Sequence, residues 1–326
     1  MQPGEKTTDA TQRQPFWSVM IPTFNPGSFL EQALSSILAQ DPGPDQMQIA
    51  VVDDASTGSD PEPIVRKIAG DRVTIHRQPK NLGLARNWND CIARAGGRWI
   101  HIMHQDDVVL PGYYESIRAG ALANPQAGMA FTRCANFDEQ GNWIHLSRLE
   151  RPTPGIIPDW LSRLAINNRI QCPAVSVRAD VYRDVGGFRR DLVYAIDWEM
   201  WCRIAAKYAA WFDPQIRMSY RVHADSETSR LQGLSLTLSD ERRAIDIISR
   251  ILPAEIRQES ARKARLKIAD RELDAADARI DAGDMRSVGR NLMEAVKTGW
   301  RSPSIIGRAM CVWARMATSR FDGGRR

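Results

Sequence analysis

The sequence predicts an α/β fold: a mostly parallel sheet flanked by helices, with a helical extension at the C-terminus. Three observations carry this expectation. Short apolar runs alternate with amphipathic segments through the first 130 residues, the pattern of strand–helix–strand units. The apolar runs lead into polar clusters at Pro22-Thr23, Asp53-Asp54 and Asp106-Asp107, and right-handed crossovers bring such strand ends to one edge. From residue 236 onward the composition turns almost wholly helical, rich in Arg, Ala, Asp and Leu.

Residues 1–14 are polar without periodicity and read as a flexible tail. The expected division is therefore a tail at 1–14, a sheet domain at 15–235 and a helical region at 236–326. FWSVMIP (16–22) reads as a buried strand, followed by a turn at Asn25-Pro26-Gly27. Ser28 to Glu31 has capping-box spacing, and Phe29, Ala33, Leu34, Ile37 and Leu38 recur at helical intervals up to Ala39. QIAVVDD (48–54) is a second strand ending in two carboxylates. A weak helix at 61–69 follows, then the strand VTIHR (73–77), a helix from Leu84 to Ala95, and the strand RWIHIM (98–103). Beyond 130 the pattern is mixed, with short strands near 129–133, 143–147 and 172–177. A regular helix is expected at 196–209, followed by a strand that runs through YRVH (220–223) into a polar loop. Segments 262–283 and 284–298 suit a helical hairpin.

The chain has 326 residues, 43% hydrophobic and 25% charged, ordinary values for a globular protein. Five scattered cysteines contain no Cys-x-x-Cys pair, which excludes a thiolate zinc cluster and argues for a reducing compartment. No run of about 18 apolar residues is present, so no spanning helix is expected. The N-terminal residues lack the basic start and apolar run of a signal peptide, so a cytoplasmic location is expected. The net charge of +5 is unevenly placed: residues 240–326 hold 19 Lys and Arg against 13 Asp and Glu, and the rest hold 25 against 26. The Gly-rich dinucleotide fingerprint, the Walker A loop and the G-x-S-x-G elbow are all missing, which removes hydride transfer, P-loop hydrolysis and serine-hydrolase chemistry. The basic tail has no aromatic interleaving and no nucleic-acid module, so no nucleic-acid partner is expected.

What remains is carboxylates at strand ends. Taken singly, Asp53-Asp54 and Asp106-Asp107 also suit solvent-facing acidic turns. Together on one sheet edge they repel, a cost readily met where a divalent cation or a donor-rich ligand sits between them. Seven strings then stand in order: VMIPTFN (19–25), VVDDAST (51–57), NLGLARNWN (81–89), HQDDVVLP (104–111), VGGF (185–188), DWEMWCRIA (197–205) and YRVH (220–223). In these the chain resembles the family 2 glycosyltransferases, inverting enzymes of the GT-A fold that use nucleotide-activated sugars.

The resemblance implies a nucleotide-sugar donor, most often a UDP-sugar, and a glycan or lipid-linked glycan acceptor in cell-surface polysaccharide synthesis. It implies that Pro22, Thr23 and Asn25 open the nucleotide pocket and that Asp53 or Asp54 accepts the base N–H. Gly83, Arg86 and Asn87 match the loop and helix start that line the pocket. Asp106 matches the metal-binding acid, with Asp107 near the donor sugar, and His223 matches a loop residue that reaches the metal or diphosphate. A divalent cofactor, Mn²⁺ or Mg²⁺, follows. Asp197 matches the catalytic base, and the N-terminus of its helix is expected to keep it ionised. His104 departs from the pattern: it stands where the first acid of an Asp-x-Asp motif belongs, able to donate to a ribose hydroxyl or bind a metal but uncharged at neutral pH. A half-buried structural histidine is the alternative.

Glu199, two residues past Asp197, points elsewhere on a helix and suits an ion pair with Arg203. Trp198 and Trp201 suit either a wall for a sugar ring or core packing. His76, His101 and His145 have no partner pattern and read as structural. In the tail, Ile305, Ile306, Met310, Val312, Trp313 and Met316 among Arg308 and Arg315 suit peripheral contact with an anionic membrane, or a helix packed on its own domain or a partner subunit. A catalytically silent sugar-nucleotide-binding protein of the same fold is the alternative function, against which Asp106 and Asp197 speak.

Overall fold

The computed structural model describes residues 14–233 and 236–322; the expected tail lies, apart from Gln14, outside them. The chain opens with strand β1 (Trp17–Thr23), helix α1 (Phe29–Leu38), β2 (Met47–Asp53), α2 (Pro61–Ala69), β3 (Thr74–Arg77), α3 (Leu84–Arg94) and β4 (Trp99–Ile102). These are the elements that the apolar runs announce. The short β5 (Val108–Val109), α4 (Tyr113–Ala123), β6 (Ala127–Phe137), β7 (Trp143–Leu146) and β8 (Gly155–Ile156) follow. Next come α5 (Trp160–Leu164), β9 (Val175–Arg178), α6 (Ala179–Val185), α7 (Ile196–Ala205) and β10 (Ala209–Arg221). Five helices close the chain: α8 (Glu227–Gly233), α9 (Thr237–Ile251), α10 (Ala254–Asp281), α11 (Met285–Gly299) and α12 (Pro303–Asp322).

One sheet runs through the molecule in the order β3-β2-β1-β4-β9-β6-β10-β5, with β7 beside β6 and β8 beside β10. β1, β2, β3 and β4 are mutually parallel, and β6 and β10 continue in the same direction beyond the reversed strand β9. The fold is the mostly parallel, helix-flanked sheet with a helical C-terminal region that the sequence predicts. Its central strands are fully buried runs such as Val19–Ile21 and Ala50–Val52, as a sheet covered on both faces requires. Gly97 admits β4 to its place: a Cβ there would lie 2.5 Å from the Trp17 carbonyl carbon.

Several local expectations are corrected. The Ser28 side chain makes no capping hydrogen bond, because Ser28 has helical dihedrals (φ −63°, ψ −14°) and not the extended ones of an N-cap; the Glu31 carboxylate goes to Lys67 of α2 at 2.9 Å. The helix expected at 196–209 stops at Ala205, since residues from Ala209 pair with β6. β10 is 13 residues long, and a register shift falls at Pro214, between Asp213 and Ile216, where proline is tolerated because a bulge needs no ladder N–H. The strand expected at 172–177 begins as a turn of 3₁₀-helix, Cys172–Ala174.

The main apolar core does not end with the sheet: Ala244, Ile245 and Ile248 of α9 and Ala261, Ala264 and Ile268 of α10 belong to it. α10, α11 and α12 build a second core around Leu273, Val288, Leu292, Ile305 and Val312. Of the two readings of 303–318, this is the helix packed on its own domain. Ile305 and Val312 are buried and Met316 is half-buried, while Arg308 pairs with Asp270 and Asp274, and Arg315 with Asp277 and Asp281. Met310 and Trp313 stay exposed. No helix among the described residues is long and apolar enough to cross a membrane.

One tie joins α9 to the sheet domain. Buried Asp240 accepts from the backbone N–H groups of Val193, Tyr194 and Ala195 at 3.0, 2.7 and 2.8 Å, the three residues that lead into α7. Asp240→Ala would strand these donors, at about 1–3 kcal/mol for a buried unsatisfied group. Urea unfolding of Asp240→Ala should show that loss, whereas Asp246→Ala, which removes an exposed pair with Arg265, should stay within about 0.5 kcal/mol of the parent. Equal midpoints for both variants would contradict the assignment.

Candidate active site

The loops after β1, β2 and β4 meet on one edge because Thr23 is paired with Asp53 at the end of the β1–β2 ladder. Side chains bind these loops to one another. Asn25, in a left-handed conformation (φ 44°), accepts from the N–H groups of Thr57 and Gly58, both at 2.8 Å. Gln105 accepts from the Phe24 N–H at 3.0 Å and donates to its carbonyl at 3.2 Å. Between them sit half-buried Pro22 and buried Thr23, whose hydroxyl donates to the Ile21 carbonyl at 3.1 Å.

The acids of β2 divide the work and are not free in solvent. Asp53 is fully buried, accepting from the Ser56 N–H at 3.2 Å and from Arg77 Nε at 2.9 Å. Asp54 clamps the next loop, taking the Leu82 N–H at 2.7 Å and the Gly83 N–H at 2.9 Å. Burial raises the Asp54 carboxyl despite these two donors. Gly83 turns at φ 80°, a conformation that glycine adopts without strain. Asn87 is buried and donates to the Val52 carbonyl at 2.9 Å, so it ties α3 to β2. Arg86, one residue earlier, is exposed, and its guanidinium has no partner among the described residues.

The turn after β4 carries the densest charge. His104 stacks on Trp88 with ring centroids 5.3 Å apart, and its Nδ1 lies 3.2 Å from Asp107 Oδ2. The ring's Nε2 and Asp107 Oδ2 are buried and lack hydrogen-bond partners among the described residues. Asp106 accepts from His223 Nε2 at 2.9 Å. Arg221, which the sequence reading missed, holds this turn from the end of β10. Its N–H donates to Asp107 Oδ1 at 2.8 Å and its Nε to the Asp106 carbonyl at 3.0 Å. Its guanidinium is sandwiched between Phe29 and Phe137, at 4.1 and 4.4 Å from the ring centroids. Burial pushes the Asp107 carboxyl up to about 6. Burial acts the same way on Asp106, but the hydrogen bond from His223 and the nearby His104 hold it below its usual range.

Ligand atoms of His104, Asp106 and Asp107 lie within 4.8 Å of one another, close enough to hold one metal ion. The set is two carboxylates and one imidazole, and its two carboxylates suit a hard cation such as Mg²⁺ or Mn²⁺. His223 reaches the same place through Asp106.

Asp197, the second residue of α7, lies within electrostatic reach of His104 and of buried Cys172 beside it. Its Oδ2 accepts from Asn168 Nδ2 at 3.0 Å and its Oδ1 from the Trp198 N–H at 2.6 Å. Burial raises its carboxyl to about 6 against these two hydrogen bonds. Here the helix dipole does not decide, and the group is a stronger base than expected. Glu199 is buried, not exposed, and locked by both arms of Arg203 at 3.0 and 2.7 Å. Trp198 and Trp201 are both core: each is buried, and the Trp198 indole donates to the Leu164 carbonyl at 2.7 Å. Neither is a wall for a sugar. His101 is structural as read, buried between Tyr114 Oη at 3.1 Å and the Pro173 carbonyl at 2.7 Å. Sequence reasoning misses Arg221, Gln105, Asn168, Cys172 and Asp240; YRVH holds Arg221 and HQDD holds Gln105 in plain view, but nothing local marks the other three.

The sequence model of "Glycosyl transferase family 2" matches residues 18–186. An uncharacterized protein of Mycobacterium tuberculosis, MT1568, is 30% identical over 80% of this chain and 85% of its own length. An uncharacterized glycosyltransferase of Rickettsia felis is 21% identical over 67% of this chain, which spans 36% of that longer protein. Among solved structures, residues 1–349 of S. aureus TarS in complex with UDP-GlcNAc align with a TM-score of 0.64. The alignment has 13% identity and covers 93% of this chain and 88% of that one, a likeness of fold.

The Asn168 amide is the hydrogen bond that restrains Asp197. Asn168→Ala should raise the Asp197 carboxyl above about 6, because the neutral form loses less than the charged form does. A carboxyl-carbon NMR titration reads this directly, and an unmoved midpoint would contradict the contact.

Proposed function

The chain belongs to glycosyl transferase family 2, and from that premise we propose that it moves a sugar, with inversion, from a UDP-sugar to a hydroxyl of a glycan or lipid-linked glycan. The observation that carries this reading is the convergence of side-chain-tied loops, an acidic turn and a buried carboxyl raised to about 6. The nucleotide would lie against Pro22, Thr23, Asn25 and Asp53, under the loop that Asp54 clamps, with Gly83 and Asn87 shaping its wall. Arg86, with its free guanidinium at the start of α3, suits the diphosphate. Asp106 and His223 would hold the divalent ion, with His104 and Asp107 beside it. Such an ion supplies positive charge against the diphosphate leaving group.

Inversion by direct displacement needs one base on the face opposite the leaving group. Asp197 fits that role: held by Asn168 and Trp198 and raised to about 6, it is ionised at neutral pH yet basic enough to draw a proton from a hydroxyl. Cell-surface polysaccharide synthesis in the cytoplasm is the setting that this reading favours. Any membrane contact would fall to exposed Trp300, Met310 and Trp313, since Arg308 and Arg315 are engaged with α10.

A panel of nucleotide sugars, assayed for nucleotide release and transfer, tests the reading. Turnover should rise with pH through about 6 as Asp197 loses its proton, and Asp197→Asn should cut it by about 10²–10⁴ with donor affinity little changed. A normal Asp197→Asn enzyme would overturn the assignment. Asp106→Asn, and treatment with EDTA, should each lower turnover by about 10² or more if the ion supplies several kcal/mol. Undiminished activity after chelation would remove the metal from the reading.

A further inference from the structure

Helix α7 carries the proposed base near its N-terminus, yet its N-cap is Ala195, which has no side-chain oxygen to offer. The acceptor comes from the other end of the chain. Asp240, in the first turn of α9, places a single oxygen, Oδ2, 3.0, 2.7 and 2.8 Å from the Val193, Tyr194 and Ala195 nitrogens. Three successive N–H groups aimed at one point make a concavity for an anion, and here a buried carboxylate of the same chain fills it. A negative group at this place also suits the positive end of α7.

The support is firm. Ala244, Ile245 and Ile248 of α9 are buried in the main core. Arg243, one turn beyond Asp240, reaches Asp191 at 2.7 Å, and Asp191 also takes both arms of Arg189 at 3.0 and 2.8 Å. Helix α9 therefore grips the segment before α7 at two points.

The consequence falls on Asp197. The Glu199 N–H donates to the Ala195 carbonyl at 3.1 Å, so Ala195 and Asp197 belong to one hydrogen-bonded turn and shift together. Asn168 restrains the Asp197 side chain at 3.0 Å, whereas the backbone that carries this side chain starts where Asp240 holds it. The strings of the family resemblance end at His223, so the residue that sets this start lies in the region beyond them.

We propose that Asp240 is a positioning residue for the base: its one carboxylate oxygen fixes the start of α7, and with it the reach of Asp197 toward the acceptor hydroxyl. The inference rests on Asp197 as the base in the transfer reading above. It makes the C-terminal helical region part of the catalytic unit.

The test assays transfer by the full chain well below its melting temperature, with the folded fraction followed by circular dichroism. Asp240→Ala should lose about tenfold or more in kcat, with donor KM within about twofold of the parent, because a shift of about 1 Å far from the chemistry costs up to about 10² in rate. Sodium formate, a free carboxylate small enough for the space left by the side chain, should restore the kcat of Asp240→Ala by about fivefold or more, and sodium chloride at equal ionic strength should not. Asp240→Asn keeps an oxygen at the same reach, so its kcat should stay within about threefold of the parent. Asp246→Ala, at an exposed position of the same helix, should match the parent throughout. A residue that only stabilised the fold would lower the melting temperature and leave the kcat of the folded protein unchanged. That result overturns the inference, as does a loss shared by Asp240→Asn and untouched by formate. Should Asp240→Ala not fold, Asp240→Glu decides: it keeps the charge and moves the oxygen by one methylene, so the same fall in kcat is expected, and parental kcat overturns the inference. Normal turnover by Asp197→Asn would instead remove the base assignment, and the role of Asp240 with it.

Discussion

Where a parallel strand ends, its backbone N–H groups lose their ladder partners, and the edge that carries a ligand site is the edge where they must find others. This constraint shapes the whole rim. Asn25 answers for Thr57 and Gly58, Gln105 for Phe24, Asp54 for Leu82 and Gly83, and Asp107 for Arg221. Asp240 does the same for three residues before α7. Each of these side chains reaches from one loop to another, so satisfying the backbone also fixes the loops relative to each other. What the edge leaves over is informative. Arg86 is exposed and its guanidinium has no partner among the described residues, and Asp107 Oδ2 is met only by the His104 ring at 3.2 Å.

The same economy separates the acids. Asp54, Asp106, Asp107 and Asp197 are all desolvated, which alone would raise every one of them. The partners decide the outcome. His223 and His104 bring Asp106 down, so it keeps its charge despite burial. Asp197 has two amide donors and the His104 ring within electrostatic reach, but burial outweighs them and its carboxyl stands near 6. Carboxyls whose surroundings push them apart mark a division between charge-holding and proton-taking roles. The Glu199–Arg203 pair shows the third possibility: a fully paired buried carboxylate at i,i+4, which anchors the carbonyls of Val185 and Gly187 through Arg203 and takes no part in the cleft.

The central sheet was legible because its strands are buried on both faces and read as unbroken apolar runs, and its rim because those runs end in acids. β10 was not. Asp213-Pro214 interrupts it, and its exposed and buried residues alternate unevenly around the bulge, so local pattern suggested a helix running on to 209. The capping box at Ser28 has the right spacing, but Ser28 is helical where a cap is extended, and Glu31 goes to Lys67, 36 residues beyond it. Trp198 and Trp201 looked equally suited to cleft and core, since periodicity cannot say which side of a helix faces which cavity. Asp106 and Asp197 could be named from the family resemblance, whereas Asn168 and Arg221 act through contacts 29 and 115 residues away. Long-range partners of this kind leave no trace in a window of neighbours.

The tail teaches the same lesson about charge. Counted along the chain, residues 240–326 are basic, and a count of this kind suggests a field directed outward. The fold spends most of it locally. Arg308 and Arg315 each bridge two aspartates one turn apart on α10, Arg242 pairs with Glu294 and Arg271 with Glu241. On that flank four aspartates face two arginines, so this seam is locally acidic within a region that is basic by count. Through Asp240 the helical region is tied to the residues that lead into α7, and α9 and α10 share the apolar core of the sheet domain, so this region is built into the fold and is no appendage hung from it.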